Sequence, residues 1–88
     1  MIEVDVNDAF KIKWINSGVT PTTIQARLYD VNETVVHSAD MISSGNGHYY
    51  SITYVQTPGF YVAETYAIAG GNPYTRRSFV EAIVLEGD

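Results

Sequence analysis

The sequence predicts an all-β fold of about seven short antiparallel strands, arranged as a sandwich or a small barrel. Three observations carry this prediction. Apolar and polar residues alternate with a period of two through most of the chain. Turn signals recur roughly every eight to twelve residues. β-Branched and aromatic residues prevail where a helix would need apolar positions three and four apart. With 88 residues, 45% of them hydrophobic, the chain suits one domain over residues 1–88 and can build a core without covalent staples.

The elements follow in order. Ile2, Val4 and Val6 alternate with Glu3 and Asp5, and Phe10, Ile12 and Trp14 alternate with Lys11 and Lys13. Each set describes a strand with one buried and one wet face. Asn16-Ser17-Gly18 and Pro21 interrupt the pattern before it resumes over Thr22 to Asp30. There Ile24, Ala26 and Leu28 are expected inward, and Thr23, Gln25, Arg27 and Tyr29 outward. Asp30 to Glu33 forms a turn and Thr34 to Ser38 a short strand, while Asp40 to Ser44 suits a strand that switches sheets. Ser44-Gly45-Asn46-Gly47 is a strong hairpin signal, because Asn-Gly supplies the positive φ angles of tight turns. His48 to Val55 follows, with Tyr50, Ile52 and Tyr54 on one face, taken as core. After the Thr57-Pro58-Gly59 turn come a long strand over Phe60 to Ala69, a Gly70-Gly71-Asn72-Pro73 turn, and a last strand over Tyr74 to Leu85, bulged near Phe79.

Pro58-Gly59-Phe60-Tyr61-Val62-Ala63 is the most specific stretch. Together with Gly47-His48-Tyr49-Tyr50 upstream and Phe79-Val80 downstream, it resembles small bacterial and bacteriophage immunoglobulin-like domains over roughly residues 45 to 85. The resemblance implies an immunoglobulin-like antiparallel β-sandwich. It also implies that Tyr61, a fold marker, turns its hydroxyl onto upstream backbone two residues before an inward position that antibody domains fill with cysteine. Ala63 stands there, as suits a reducing cytosol. Trp14 departs from the pattern by lying on an early strand and not on the third.

Chemistry is hard to find. Without cysteine there is no disulfide, thiolate site or thiol nucleophile. Five Lys+Arg against ten Asp+Glu give a net charge of −5, the wrong sign for general nucleic-acid binding. Met1 leads directly into an acidic, alternating segment, and no apolar run approaches the ~20 residues of a membrane helix, so a cytosolic chain without a membrane partner is expected. His37 and His48 belong to no zinc pattern and are expected at the surface. No serine sits in a nucleophile elbow, and Gly70-Gly71 does not open a helix that could hold phosphate. Asp30-x-Asn32-Glu33 has the oxygen donors of a calcium loop, although turns use the same residues. Arg76-Arg77 points to opposite strand faces and suits ion pairing. No catalytic residue, cofactor or metal site is expected.

Seven tyrosines are the compositional oddity. Tyr29, Tyr49, Tyr66 and Tyr74 are expected outward or near loops, and Tyr50, Tyr54 and Tyr61 in the core. Outward tyrosines suit a protein interface. Tyr49, Tyr66 and Tyr74, on one face formed by strands 48–55 and 60–69, are therefore candidate interface residues. Ile2 and Val4 of the open N-terminal strand, which could add to a neighbour's sheet, join them. The resemblance implies a non-enzymatic structural protein of a bacteriophage virion, such as a capsid decoration (cement), neck or tail protein. It would be synthesised in the host cytoplasm, bind other subunits such as the major capsid or tail protein, and could form homo-oligomers. The alternative is a carbohydrate- or cell-surface-binding module with Trp14, Tyr49 and Tyr74 as its aromatic platform. A small enzyme is the third class.

Overall fold

The alternation seen along the chain becomes two facing sheets. A computed structural model describes residues 2–15 and 20–84. The predicted turn at Asn16-Ser17-Gly18 and the end of the last strand at Leu85 lie outside the described residues. The strands are β1 (Ile2–Asp5), β2 (Phe10–Ile15), β3 (Pro21–Tyr29), β4 (Val35–Asp40), β5 (Ile42–Gly45), β6 (His48–Thr53), β7 (Gly59–Ala69) and β8 (Asn72–Ile83). A five-stranded sheet runs β1-β8-β7-β3-β4 and a three-stranded sheet runs β2-β6-β5. In the lettering of immunoglobulin-like sandwiches, β2, β6 and β5 stand as B, E and D, and β8, β7 and β3 as G, F and C. Trp14 therefore sits on B.

Two short crossings carry the chain between layers. Val6 donates to the Ile83 carbonyl at 2.9 Å, and Asn7 donates to Val55 at 2.7 Å. Asn7 has a φ of 67°, a left-handed conformation that asparagine tolerates better than most residues. The second crossing is Met41, buried between β4 and β5, whose N–H donates to Ile24 at 3.1 Å. The expected sheet switch near Asp40 to Ser44 thus separates two strands and raises the count to eight. One pairing is not antiparallel: β1 runs parallel to β8. The strand β8 runs in unbroken register with β7 from Asn72 to Ala82, so the expected bulge near Phe79 is absent.

The core is drawn from both layers. Ile12 and Trp14 of β2 meet Ala26 and Leu28 of β3, Tyr61, Ala63 and Ala67 of β7, and Val80 and Ala82 of β8. Val4, Phe10, Ile24 and Tyr49 pack against this cluster. Small alanines on β7 leave room for the large side chains of β2, and Ala63 faces inward as expected.

The strand β6 reverses its expected orientation. Residues paired across a ladder share a face, and Ser51 pairs with Ile12 and Thr53 with Phe10. Ser51 and Thr53 are therefore inside, while Tyr50, Ile52 and Tyr54 turn outward. Tyr54 is 55% exposed, not core. Val55, two residues beyond Thr53, is buried.

The Asn46-Gly47 turn has φ values of 56° and 79°, the two positive angles its residue types predicted. The Tyr61 corner also forms: its hydroxyl donates to the Thr57 carbonyl at the entrance to β7. Tyr61→Phe should lower stability by about 1 kcal/mol, because the exposed Thr57 carbonyl can regain water. Equilibrium urea denaturation measures this, and an unchanged midpoint would leave the hydroxyl without a structural role.

Candidate functional site

The outer face of the three-stranded sheet follows from the register of β2 and β6. Lys11, Lys13 and Ile15 of β2 point away from the core, beside Tyr50 and Ile52 of β6 and Ile42 of β5. Ile42, Ile52 and Ile15 are each more than half exposed, and Tyr54 extends the row. The Lys11 ammonium lies 5.0 Å from the Tyr50 ring centroid, which holds a positive charge over the middle of the face. Both lysines of the chain are on this face, and no acidic residue is among β2, β5 and β6.

The outer face of the five-stranded sheet is organised differently. Arg27 of β3, Glu64 of β7 and Arg77 of β8 stand directly opposite one another across three strands. Glu64 is buried although it points outward. Its Oε2 accepts from Arg77 Nε at 2.9 Å and lies 2.9 Å from Arg77 Nη2, while Oε1 accepts from Tyr29 Oη at 3.2 Å and lies 3.7 Å from Arg27 Nη1. Arg27 also donates to Gln25 and caps the Tyr66 ring at 5.9 Å. With both carboxylate oxygens occupied and cations on either side, Glu64 staples the three central strands of the sheet. Near β1 the same face carries Phe60, 51% exposed, and Phe79, 64% exposed, alongside Glu3, Asp5 and Glu81.

The candidate residues do not form one patch. Strands β6 and β7 belong to different sheets, so their outward faces point in opposite directions. Tyr49 faces inward, its ring 5.9 Å from Trp14 and tilted by 53°. Tyr66 is half-buried beneath Arg27, and exposed Tyr74 lies near the β7–β8 turn. Ile2 and Val4 share the inward-facing side of β1 with Val80 and Ala82, and Val4 packs on the core. The sugar platform fails on the same geometry, because Trp14 is only 3% exposed. Sequence reasoning missed the face that does form. Its signal was the lysine pair alternating with Ile12 and Trp14, which fixes β2 and through it β6.

His37 is also not a plain surface residue. It shares the inward face with Leu28, and its Nε2 lies 3.2 Å from the Ser51 Oγ, joining β4 to β6 across the layers. A hollow of about 420 Å³ opens beside His37, but neither Ser51 nor any carboxylate lines it, so no triad is assembled there. Arg76 donates to the Ile15 carbonyl at 3.1 Å and stacks 5.0 Å from the Trp14 ring. Arg76 and Arg77 thus serve opposite faces. Trp14 Nε1 has no hydrogen-bond partner among the described residues. In the calcium-like turn, Asp30 Oδ1 accepts from Asn32 N at 2.9 Å and Thr34 N at 3.0 Å, so it builds the turn. No group of three metal-ligating side chains occurs among the described residues. No helix of those residues is long and apolar enough to cross a membrane.

Fold and faces together define an all-β sandwich in immunoglobulin-like strand order, with an apolar exterior on its smaller sheet. No family model matches the chain, and no curated protein matches its sequence. It superposes on a crystallised engineered protein with a TM-score of 0.82 at 13% identity, over 94% of this chain and 18% of that one. CopC from Methylosinus trichosporium OB3b gives a TM-score of 0.74 at 13% identity, over 99% of this chain and 89% of its own. A candidate glycoside hydrolase from Bacteroides vulgatus ATCC 8482 gives 0.70 at 15% identity, over 97% of this chain and 17% of that one. The chain spans less than a fifth of the engineered protein and of the candidate hydrolase. Likeness at these identities shows the fold alone.

His37→Ala should cost about 1–2 kcal/mol, because the buried Ser51 hydroxyl loses its partner. Ser51→Ala in the same chain should recover part of that loss, and a double-mutant cycle by thermal unfolding measures the coupling. Strictly additive effects would show that the contact contributes nothing. Glu64→Ala should cost about 2 kcal/mol by leaving two facing arginines without their shared acceptor, softened by the exposure of Arg77. Chemical denaturation reads the change.

Proposed function

We propose that this chain is a non-enzymatic structural and interaction domain that binds other protein subunits through the outer face of its three-stranded sheet. The observation that carries the reading is the inversion of β6: Ser51 is 4% exposed while Ile52 is 53% exposed. Single exposed apolar residues are ordinary on any protein surface. A strand that buries its hydroxyl side and turns exposed Ile52 and half-buried Tyr50 outward, beside Ile15 and Ile42 and with exposed Tyr54 just past its end, is a stronger signal of a covered face.

A bacteriophage virion, as a capsid decoration, neck or tail component, is the assembly that best suits this domain. Support comes from the resemblance of residues 45 to 85 to small phage immunoglobulin-like domains and from the absence of cysteine.

Particles purified on a density gradient from the source culture provide the test. The chain should co-sediment with them, and its recovery only from the soluble fraction would overturn the virion reading. Ile52→Ser and Tyr54→Ser should keep the wild-type unfolding midpoint within about 0.5 kcal/mol while reducing co-sedimentation. Undiminished binding by both would remove this face from the reading.

A further inference from the structure

The two broad faces of the sandwich are complementary to each other. The three-stranded face combines Lys11 and Lys13 with Ile15, Ile42, Ile52 and Tyr54, and neither lysine forms an ion pair among the described residues. The five-stranded face, near β1, combines Glu3, Asp5 and Glu81 with Phe60 and Phe79. These carboxylates also form no ion pair among the described residues. Glu3 stands directly opposite Glu81 in the parallel ladder, a like-charge cross-strand pair that disfavours the isolated chain. An incoming ammonium group would relieve it.

We propose that copies of this chain associate head to tail, the lysine-bearing face of one docking on the carboxylate-bearing face of the next. This deepens the proposed function, resting on its reading of the face as one covered by protein and naming a second copy as the subunit that covers it. The two surfaces are different and lie on opposite layers of one sandwich. The contact is therefore heterologous, and each added copy presents a fresh face to the next. Growth would close into a ring if the rotation between copies allows it and would otherwise continue as a stack. Sheets packed face to face lie about 10 Å apart, so a two-layer copy would advance such a stack by about 20 Å. That agrees with the 19 Å short dimension of the molecule. Association of this kind is concentration-dependent. Net charge shapes its salt response. Repulsion between copies at −5 each acts over the ~30 Å screening length of 0.01 M salt, while contact pairs persist until salt is far higher.

Sedimentation velocity on the purified chain tests this over a concentration series. Wild type should pass from monomer through species larger than dimer, with weaker association at about 1 M salt than at about 0.15 M. Lys11→Glu/Lys13→Glu and Glu3→Lys/Glu81→Lys should each weaken self-association at least tenfold, with unchanged circular dichroism. Mixed in equal amounts, the two variants should recover association beyond dimer, since the reversed charges of each complement both faces of the other. Phe79→Ser supplies a second disruption that leaves the charges in place.

Three results would overturn the proposal: a wild-type chain monomeric throughout the series, a wild type that stops at dimer, or a mixture that stays monomeric. Because only the purified chain enters this experiment, such failure remains distinguishable from failure of the subunit-binding reading. Co-sedimentation with particles that still depends on Ile52 and Tyr54 would then point to a different partner on the same face.

Discussion

Strict alternation along paired strands is the constraint on which the rest of this molecule depends. Once Ile12 and Trp14 of β2 enter the core, Lys11 and Lys13 must leave it. The ladder then imposes the same sidedness on β6, residue by residue, so Ser51 follows Ile12 inward and Ile52 follows Lys11 outward. The interior accepts this because β2 supplies the bulk and β6 the filling. Large Ile12 and Phe10 stand beside small Ser51 and Thr53; the Ser51 hydroxyl meets His37 from the opposite sheet, and the Thr53 hydroxyl donates to the Tyr54 carbonyl.

Each layer is tied by a different kind of bond. The large sheet has a polar staple on its exterior, where Arg27, Glu64 and Arg77 cross the three central strands. The interior has the His37–Ser51 bridge and the mutual packing of Trp14 with Tyr49. At the sandwich end, the Tyr61 hydroxyl fastens the loop that carries the chain from β6 into β7. Crossings at Asn7 and Met41 let β1 and β4 belong to one sheet while their sequence neighbours β2 and β5 belong to the other.

Features encoded within a few residues were legible in the sequence. The Asn46-Gly47 turn, the inward Ile24, Ala26 and Leu28, the Tyr61 corner and the switch near Asp40 to Ser44 each carry a local chemical signature. The sidedness of β6 does not. Tyr49 and Tyr50 are adjacent, so both parities offer an aromatic residue, and hydropathy alone favours the side holding Ile52 and Tyr54. Only the register with β2 decides, and register is a long-range property. The same applies to the candidate interface: Tyr49 and Tyr66 look equivalent along the chain, yet one faces the core and the other the exterior of the opposite sheet.

The orientation of β6 also bears on why its apolar residues can remain outside. A one-residue slip of this strand would bury Tyr50, Ile52 and Tyr54 and expose Ser51 and Thr53, a gain in apolar burial that the observed register forgoes. Two features oppose the slip. The turn from β5 into β6 holds Gly45, Asn46 and Gly47 at positive φ, and shifting it by one residue would place His48 or Ser44 where glycine or asparagine is more comfortable. On the other edge, Trp14 pairs with Tyr49 and packs on its ring, and a slip would turn Tyr49 outward and break that contact. Local turn chemistry and one aromatic contact thus outweigh the larger apolar area, and the cost appears as apolar side chains left exposed on the outer face of the smaller sheet.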